Sequence, residues 1–171
     1  MTNIWFTSDT HFGHFNIIKY ANRPFSSVEE MNEILITNWN TVVYPEDEVY
    51  HLGDFGFGHQ KSLESILNRL NGKKYLIRGN HDKPIKNLYH YYFDWVKDYH
   101  RFFVAKQLII LCHYPIENWD GKYHKSWHCH GHSHGKTPSE NLLRIDVGVD
   151  CHNYCPVNYE QVKKILNKKG E

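Results

Sequence analysis

The chain has 171 residues, 40% hydrophobic and 23% charged, which suits one globular domain spanning 1–171 and excludes a disordered chain. Its 20 basic and 19 acidic residues leave a formal charge of +1, which argues against a domain whose main work is gripping nucleic acid or an anionic membrane. The unusual count is 14 histidines, since imidazole titrates near neutrality and is the commonest protein ligand for metals.

In chain order, residues 3–8 (NIWFTS) are apolar and β-branched and read as a strand. The stretch 26–39 sets Ser27 three residues before Glu30, a capping-box spacing, and repeats Val28, Met31, Leu35 and Trp39 at helical intervals. Residues 48–52 form a strand that runs into Gly53-Asp54. Residues 61–71 put Leu63, Ile66, Leu67 and Leu70 on one helix face, with Gly72 as the stop. A strand over 74–78 ends at Gly79, and a short helix follows Pro84. Residues 102–112 hold two strand-like runs separated by Lys106-Gln107, a hairpin pattern. Strands over 126–130 and 142–149 follow, then a helix over 157–168 with Asn158 and Gln161 in capping positions. Lys163, Lys164, Lys168 and Lys169 gather near that helix's C-terminal end and complement its dipole. The order is α/β and then strand-rich, in one domain.

The N-terminal MTNIWFTSDTH shows no basic region followed by an apolar stretch and cleavage site, and no apolar run approaches the roughly 20 residues of a membrane span. The expectation is a cytoplasmic protein, with no membrane association and reduced cysteines at Cys112, Cys129, Cys151 and Cys155. Cys151 and Cys155 flank His152, a zinc-like spacing, but no second ligand pair matches it, and free thiols are expected.

Five short motifs follow strand candidates and carry metal-type ligands. Asp9-Thr10-His11 sends a carboxylate and an imidazole to the same side of the chain. Gly53-Asp54 offers a carboxylate whose two oxygens can bridge two cations. Gly79-Asn80-His81-Asp82 offers a neutral oxygen beside a histidine that can act as an acid. Cys112-His113 ends an apolar strand in an imidazole. Gly131-His132-Ser133-His134 places two histidines at i and i+2. Taken singly, the first four have a ready reading as turns or a buried polar residue, GNHD being the more specific of them, whereas the histidine pair favours a metal over a core.

Their joint order resembles the calcineurin-like metallophosphoesterase family, whose motifs are D-x-H, GD, GNH(D/E), a lone H and GH-x-H. The chain is also similar to small stand-alone members from bacteria and their viruses, which share the S-D-T-H-F-G-H opening and a G-V-D close. The resemblance implies an α/β four-layer sandwich: two mixed β-sheets flanked by helices. It implies one metal on Asp9, His11, Asp54 and His134, and a second on Asp54, Asn80, His113 and His132. It implies His81 as the histidine that assists the leaving group. Arg78 resembles an arginine that some members use to hold phosphate. Some relatives carry a second aspartate soon after GD to orient the acid histidine. Here the segment is GDFGFGH, which leaves the orienting partner of His81 open, with Asp82 next door.

Two divalent cations about 3.5–4 Å apart bind phosphoryl oxygens and bring a water between them toward ionisation at neutral pH, ready to attack phosphorus. A ligand set of nitrogen with carboxylate and amide oxygen, free of thiolate, suits Mn²⁺, Fe²⁺/³⁺, Zn²⁺ or Ni²⁺. The expected function is a metal-dependent phosphohydrolase, foremost a phosphodiesterase because the chain leaves no length for a cap domain. A phosphomonoesterase is the nearest alternative. A non-catalytic scaffold and a zinc-stabilised nucleic-acid module stand further off. The expected partner is a phosphate ester, nucleotides and nucleic-acid fragments among the candidates, with no partner protein implied. Outside the motifs, His14 and Arg23 are candidates for substrate contact. His124, His128 and His130 lie just before GHSH, and Tyr114, Trp119, Tyr123 and Trp127 are read as packing around a long loop.

Overall fold

The structure, a computed structural model, describes residues 2–137 and 143–168. Among the described residues, nine strands form two sheets: β1 (Ile4–Thr7), β2 (Glu48–His51), β3 (Lys73–Ile77), β4 (Val96–Lys97), β5 (Tyr99–Val104), β6 (Gln107–Cys112), β7 (Trp127–His130), β8 (Arg144–Asp146) and β9 (Val157–Asn158). The first sheet runs β4-β3-β2-β1-β9, parallel except for the antiparallel β9 edge. The second runs β5-β6-β7-β8, with an antiparallel hairpin at one edge and parallel pairing beyond it. Parallel neighbours need crossovers, and α2 (Val28–Val42) and α3 (Gln60–Arg69) supply them between β1, β2 and β3. Shorter α1 (Phe15–Tyr20) and α4 (Tyr89–Tyr92) follow β1 and β3, and α5 (Tyr159–Lys168) closes the described chain.

Strand alternation splits the core. In β1, Trp5 faces a layer with Met31, Leu35, Trp39, Leu63 and Leu67 of the helices. The next residue, Phe6, faces the second sheet and packs with Ile109, Leu111, Cys129 and Ile145. The fold is thus α/β with two mixed sheets and helices. The loop 114–126 covers the outer face of the second sheet. Trp119 stacks on His128 at 5.3 Å, and buried Arg144 bonds the Ile116 carbonyl and Glu117.

Local signals act as their chemistry dictates. Ser27 caps α2 by accepting the Glu30 N–H, while the Glu30 carboxylate reaches back to Ser26 rather than Ser27. Asn158 and Gln161 cap α5 reciprocally. The β5–β6 turn is Ala105-Lys106, both at positive φ, so Gln107 already belongs to β6. Of the expected strand over 142–149, residue 142 lies outside the described residues, as does Lys169, and the ladder itself is Arg144–Asp146. The helix α1 and strand β4 are too short to carry a periodic signal.

Candidate metal centre

The C-terminal ends of parallel strands converge on one edge of the sandwich. The chain leaves β1 into Asp9 and His11, β2 into Asp54, β3 into Asn80 and His81, β6 into His113, and β7 into His132 and His134. The loops lock together through main-chain bonds: Asp9 N–H to the Gly53 carbonyl, His11 N–H to Asp54, and Gly131 N–H to His113. Close backbone approach requires glycine at two points. A Cβ on Gly53, whose φ is +98°, would lie 2.6 Å from the Gly79 nitrogen and from His113 Nδ1, and one on Gly79 would lie 2.2 Å from Asp54 Oδ1. Asp9, His11, Asp54, His132 and His134 all sit at positive φ, between 47° and 68°. Such strain in five non-glycine residues persists only where the surroundings over-determine it.

Two clusters of potential ligand atoms result: Asp9, His11 and His134, and Asp54, His113 and His132. Asp54 joins them, its Oδ2 standing 3.6 Å from both His11 Nε2 and His113 Nε2. Its other oxygen accepts the His81 main-chain N–H at 2.8 Å. Asn80 Oδ1 lies 3.0 Å from His113 Nε2. In the first cluster, Asp9 Oδ1 is 4.0 Å from His11 Nε2 and 3.9 Å from His134 Nε2.

Tautomers decide what these contacts are. The Leu52 carbonyl, 2.7 Å from His113 Nδ1, can only accept, so Nδ1 carries the proton. His113 Nε2 is then a bare lone pair facing two acceptor oxygens, those of Asn80 and Asp54. His134 Nδ1 likewise donates to Asp150 Oδ2 at 2.6 Å and turns its Nε2 toward Asp9. Asp9 Oδ1 and His11 Nε2 are buried without any hydrogen-bond partner. Acceptors converging with no proton between them repel one another unless a cation stands among them. Donors held about 2.1 Å from an ion lie about 3.0–4.2 Å apart, which matches these separations. The residues present fit two divalent cations sharing Asp54.

Burial dominates the charge energetics. Burial raises the Asp9 carboxyl to about 7, with the His134 charge opposing that rise. Burial, then the Arg23 charge, pushes the His11 imidazole far below its ordinary value, so it is neutral and its approach to Asp9 is no salt bridge. Burial lowers His113 in the same way. At His134 burial also acts downward, but the Asp150 hydrogen bond and the Asp9 charge outweigh it.

A family model for the calcineurin-like phosphoesterases matches residues 2–169. The chain belongs to that family. An uncharacterized protein of Methanocaldococcus jannaschii is 40% identical over 98% of this chain and 93% of its own. The gene 66 protein of Mycobacterium phage D29 is 28% identical over 98% of this chain and 97% of its own. A crystal structure of a protein of unknown function from Aquifex aeolicus aligns with a TM-score of 0.77 at 29% identity, covering 96% of this chain and all of that one. The phosphoesterase fold and its paired His/Asp clusters are therefore common ground between sequence, structure and family.

Two expected substrate contacts move elsewhere. Arg78 leaves the cleft: its guanidinium pairs with Asp98 and lines a separate groove with Tyr89 and Trp95. Arg23 is buried rather than exposed on its loop. It forks onto Asp150 with two 2.8 Å bonds and donates to the carbonyls of Asp9 and Thr10, so it supports the first motif from beneath. His14 does line the cleft, stacked on Phe57 at 4.3 Å. His128 and His130 are buried against the backbone of the 110–131 region and do not line the cleft. The exposed Cys151 joins no ligand cluster among the described residues.

Four residues around the clusters carried little or no signal of the part they play. Asp82 does not orient the His81 ring. It accepts the main-chain N–H groups of Gly79, Asp54 and Phe55, stapling the GD turn to the GNHD turn. Asp150, the aspartate of the G-V-D close, orients His134. Asp146 receives Ser133 Oγ and the N–H groups of Gly135 and Gly148 and so shapes the GHSH loop. Phe57 lies within ring-contact distance of His11, His14 and His81. An aspartate after a strand is a faint hint of such a role, and a lone phenylalanine after GD is none.

Proposed function

We propose that the protein is a dinuclear metal-dependent phosphodiesterase. The observation that carries this is the proton-free convergence of His113 Nε2, Asn80 Oδ1 and Asp54 Oδ2 beside the orphaned Asp9 and His11 atoms. Asp9, His11, Asp54 and His134 hold one cation in this reading, and Asp54, Asn80, His113 and His132 the other. Bound there, the cations supply Lewis acidity for the phosphoryl oxygens and a water acidified toward neutrality. Mn²⁺, Fe²⁺/³⁺, Zn²⁺ and Ni²⁺ all suit this nitrogen and oxygen set.

The chain's own groups do the rest. His81 lines the cleft, exposed and free to turn its ring toward a departing oxygen, while its N–H bond to Asp54 fixes its backbone beside the shared carboxylate. A proton delivered by its ring assists the leaving alkoxide, an effect worth about 10²–10⁴ in rate. Asp54 contributes both its ligand oxygen and that anchor. Support for a diester over a monoester comes from the arginines: with Arg78 on Asp98 and Arg23 on Asp150, neither grips a terminal dianionic phosphate.

The test is hydrolysis of bis-p-nitrophenyl phosphate and p-nitrophenyl phosphate across Mn²⁺, Fe²⁺, Zn²⁺ and Ni²⁺, each against chelator-treated protein. Turnover of the diester above the monoester, lost on chelation, is expected. Metal-dependent turnover of the monoester alone overturns the diester assignment, and no turnover with any metal overturns the enzyme.

A further inference from the structure

The metal clusters occupy one end of a cleft of about 400 Å³, a volume in the range of sites for small organic ligands and larger than a phosphoryl group needs. Aromatic rings make up much of the rest of its wall. A row of rings leads outward from His81: Phe57 at 4.9 Å, then His14 stacked on Phe57 at 4.3 Å and 23°, then Tyr20 at 6.4 Å edge-on to His14. Ile17 and Asn16 of α1 back this row. The outer end of the row is not core packing, since Tyr20 is 64% exposed and meets the row edge-on at His14. At the same lip, Lys136 Nζ donates to the Tyr20 carbonyl at 3.3 Å and has no acidic partner among the described residues. The cleft therefore offers a phosphoryl end, a row of aromatic rings ending in the exposed Tyr20 and an unneutralised ammonium.

We propose that this outer cleft is a subsite for the nucleoside part of a phosphate ester, with the base against the Phe57–His14–Tyr20 wall and Lys136 favouring an anionic ligand. The proposal rests on the phosphoesterase reading above. A base has the two flat faces that such rings recognise, and stacking on them is tolerant of which base is presented. A sugar phosphate or a simple alkyl ester leaves the wall uncovered.

The experiment uses two diesters that differ only in the base, adenosine 5′-methyl phosphate and ribose 5-methyl phosphate, with the Mn²⁺-loaded protein. A kcat/KM ratio of at least about tenfold in favour of the adenosine ester is expected, falling below about threefold in Tyr20→Ala. A second readout needs no turnover. In chelator-stripped protein, adenosine 5′-monophosphate shifts the ring proton signals of Tyr20 and Phe57, and ribose 5-phosphate does not. A ratio near one, or a ratio that survives Tyr20→Ala, overturns the subsite. Failure of both esters to hydrolyse while the nucleotide still shifts those signals overturns the enzymatic reading and leaves the subsite standing.

Discussion

Asp150→Asn is the most informative single change, because Asp150 supports two things at once. Its carboxylate neutralises Arg23, whose side chain is fully buried, through two 2.8 Å bonds, and it fixes the His134 tautomer through a 2.6 Å bond. The amide keeps the shape and loses the charge. Arg23 retains the Asp9 and Thr10 carbonyls, so the loss is a buried cation left partly compensated, costing about 3 kcal/mol. For a chain of this length that lowers the melting temperature of the metal-free protein by about 6–12 °C. Separately, an amide nitrogen turned toward His134 Nδ1 no longer demands the tautomer that frees Nε2. Loss of such an orienting partner weakens metal affinity about 10–100-fold. Thermal unfolding in chelator and calorimetric titration with Mn²⁺ read the two effects independently. Arg23→Met together with Asp150→Asn should recover part of the stability and none of the metal affinity. An Asp150→Asn protein that melts as the parent does and binds Mn²⁺ within threefold of it would refute the reasoning on both counts.

Four further outcomes are expected. His81→Ala lowers kcat by about 10²–10⁴ while Mn²⁺ affinity by calorimetry stays within threefold, since His81 is outside both ligand clusters. Arg78→Ala leaves diester kcat/KM within about twofold, because its guanidinium serves Asp98 and not the cleft. Saturating each cluster stabilises the fold by mass action, by about 2.7 kcal/mol per site at a metal concentration 100 times that site's dissociation constant, read as the difference in urea midpoint with and without chelator. Burial holds the His128 imidazole at about 4, against 6.5 for an ordinary histidine. Between those values the unfolded chain binds a proton that the folded chain refuses. Stability contributed by neutral His128 is therefore complete above pH 6.5 and falls by up to ~3 kcal/mol as pH drops to 4. Urea midpoints across that window should be flatter in His128→Asn than in the parent.

What could be read from the sequence divides along one physical line. That Asp9, His11 and His134, and Asp54, His113 and His132, come together was legible because metal chemistry restricts residue type, and because each sits at the end of a strand whose apolar run is itself legible. LIILC ending in His113 is the clearest case. The helices α2 and α3 were legible from periodicity, with ends that differ from the expected ones by one to three residues. Side-chain direction was not legible. Arg78 and His81 are three residues apart, yet one pairs with Asp98 outside the cleft and the other faces into it. Arg23 looked like a solvated loop arginine because nothing local reveals that Asp150, 127 residues later, waits to neutralise it. Asp82 looked like a partner for its neighbour and instead serves three N–H groups of two turns.

The same distinction explains how the site tolerates its strain. On the proposed reading, five cluster residues at positive φ and a set of lone pairs facing one another work against folding of the metal-free chain. Carboxylates that are not ligands counter this from below: Asp82 ties the β2 and β3 loops, Asp146 shapes the GHSH loop, and Asp150 with Arg23 joins that loop to the first motif. Each spends its oxygens on backbone N–H groups, the Ser133 hydroxyl, the His134 imidazole or a buried guanidinium, so each is engaged before metal binds. That is why the cages stand formed around lone pairs that repel. It is also why substitutions in this supporting layer should damage the metal-free protein, whereas substitutions of the ligands should relieve it: Asp9→Asn removes the buried charge that burial raises to about 7 and should raise the melting temperature in chelator while abolishing tight binding at its cluster. Thermal unfolding of Asp9→Asn in chelator and in Mn²⁺ separates the two. A lower melting temperature than the parent in chelator would mean that Asp9 stabilises the empty cage, contrary to the repulsion argued here.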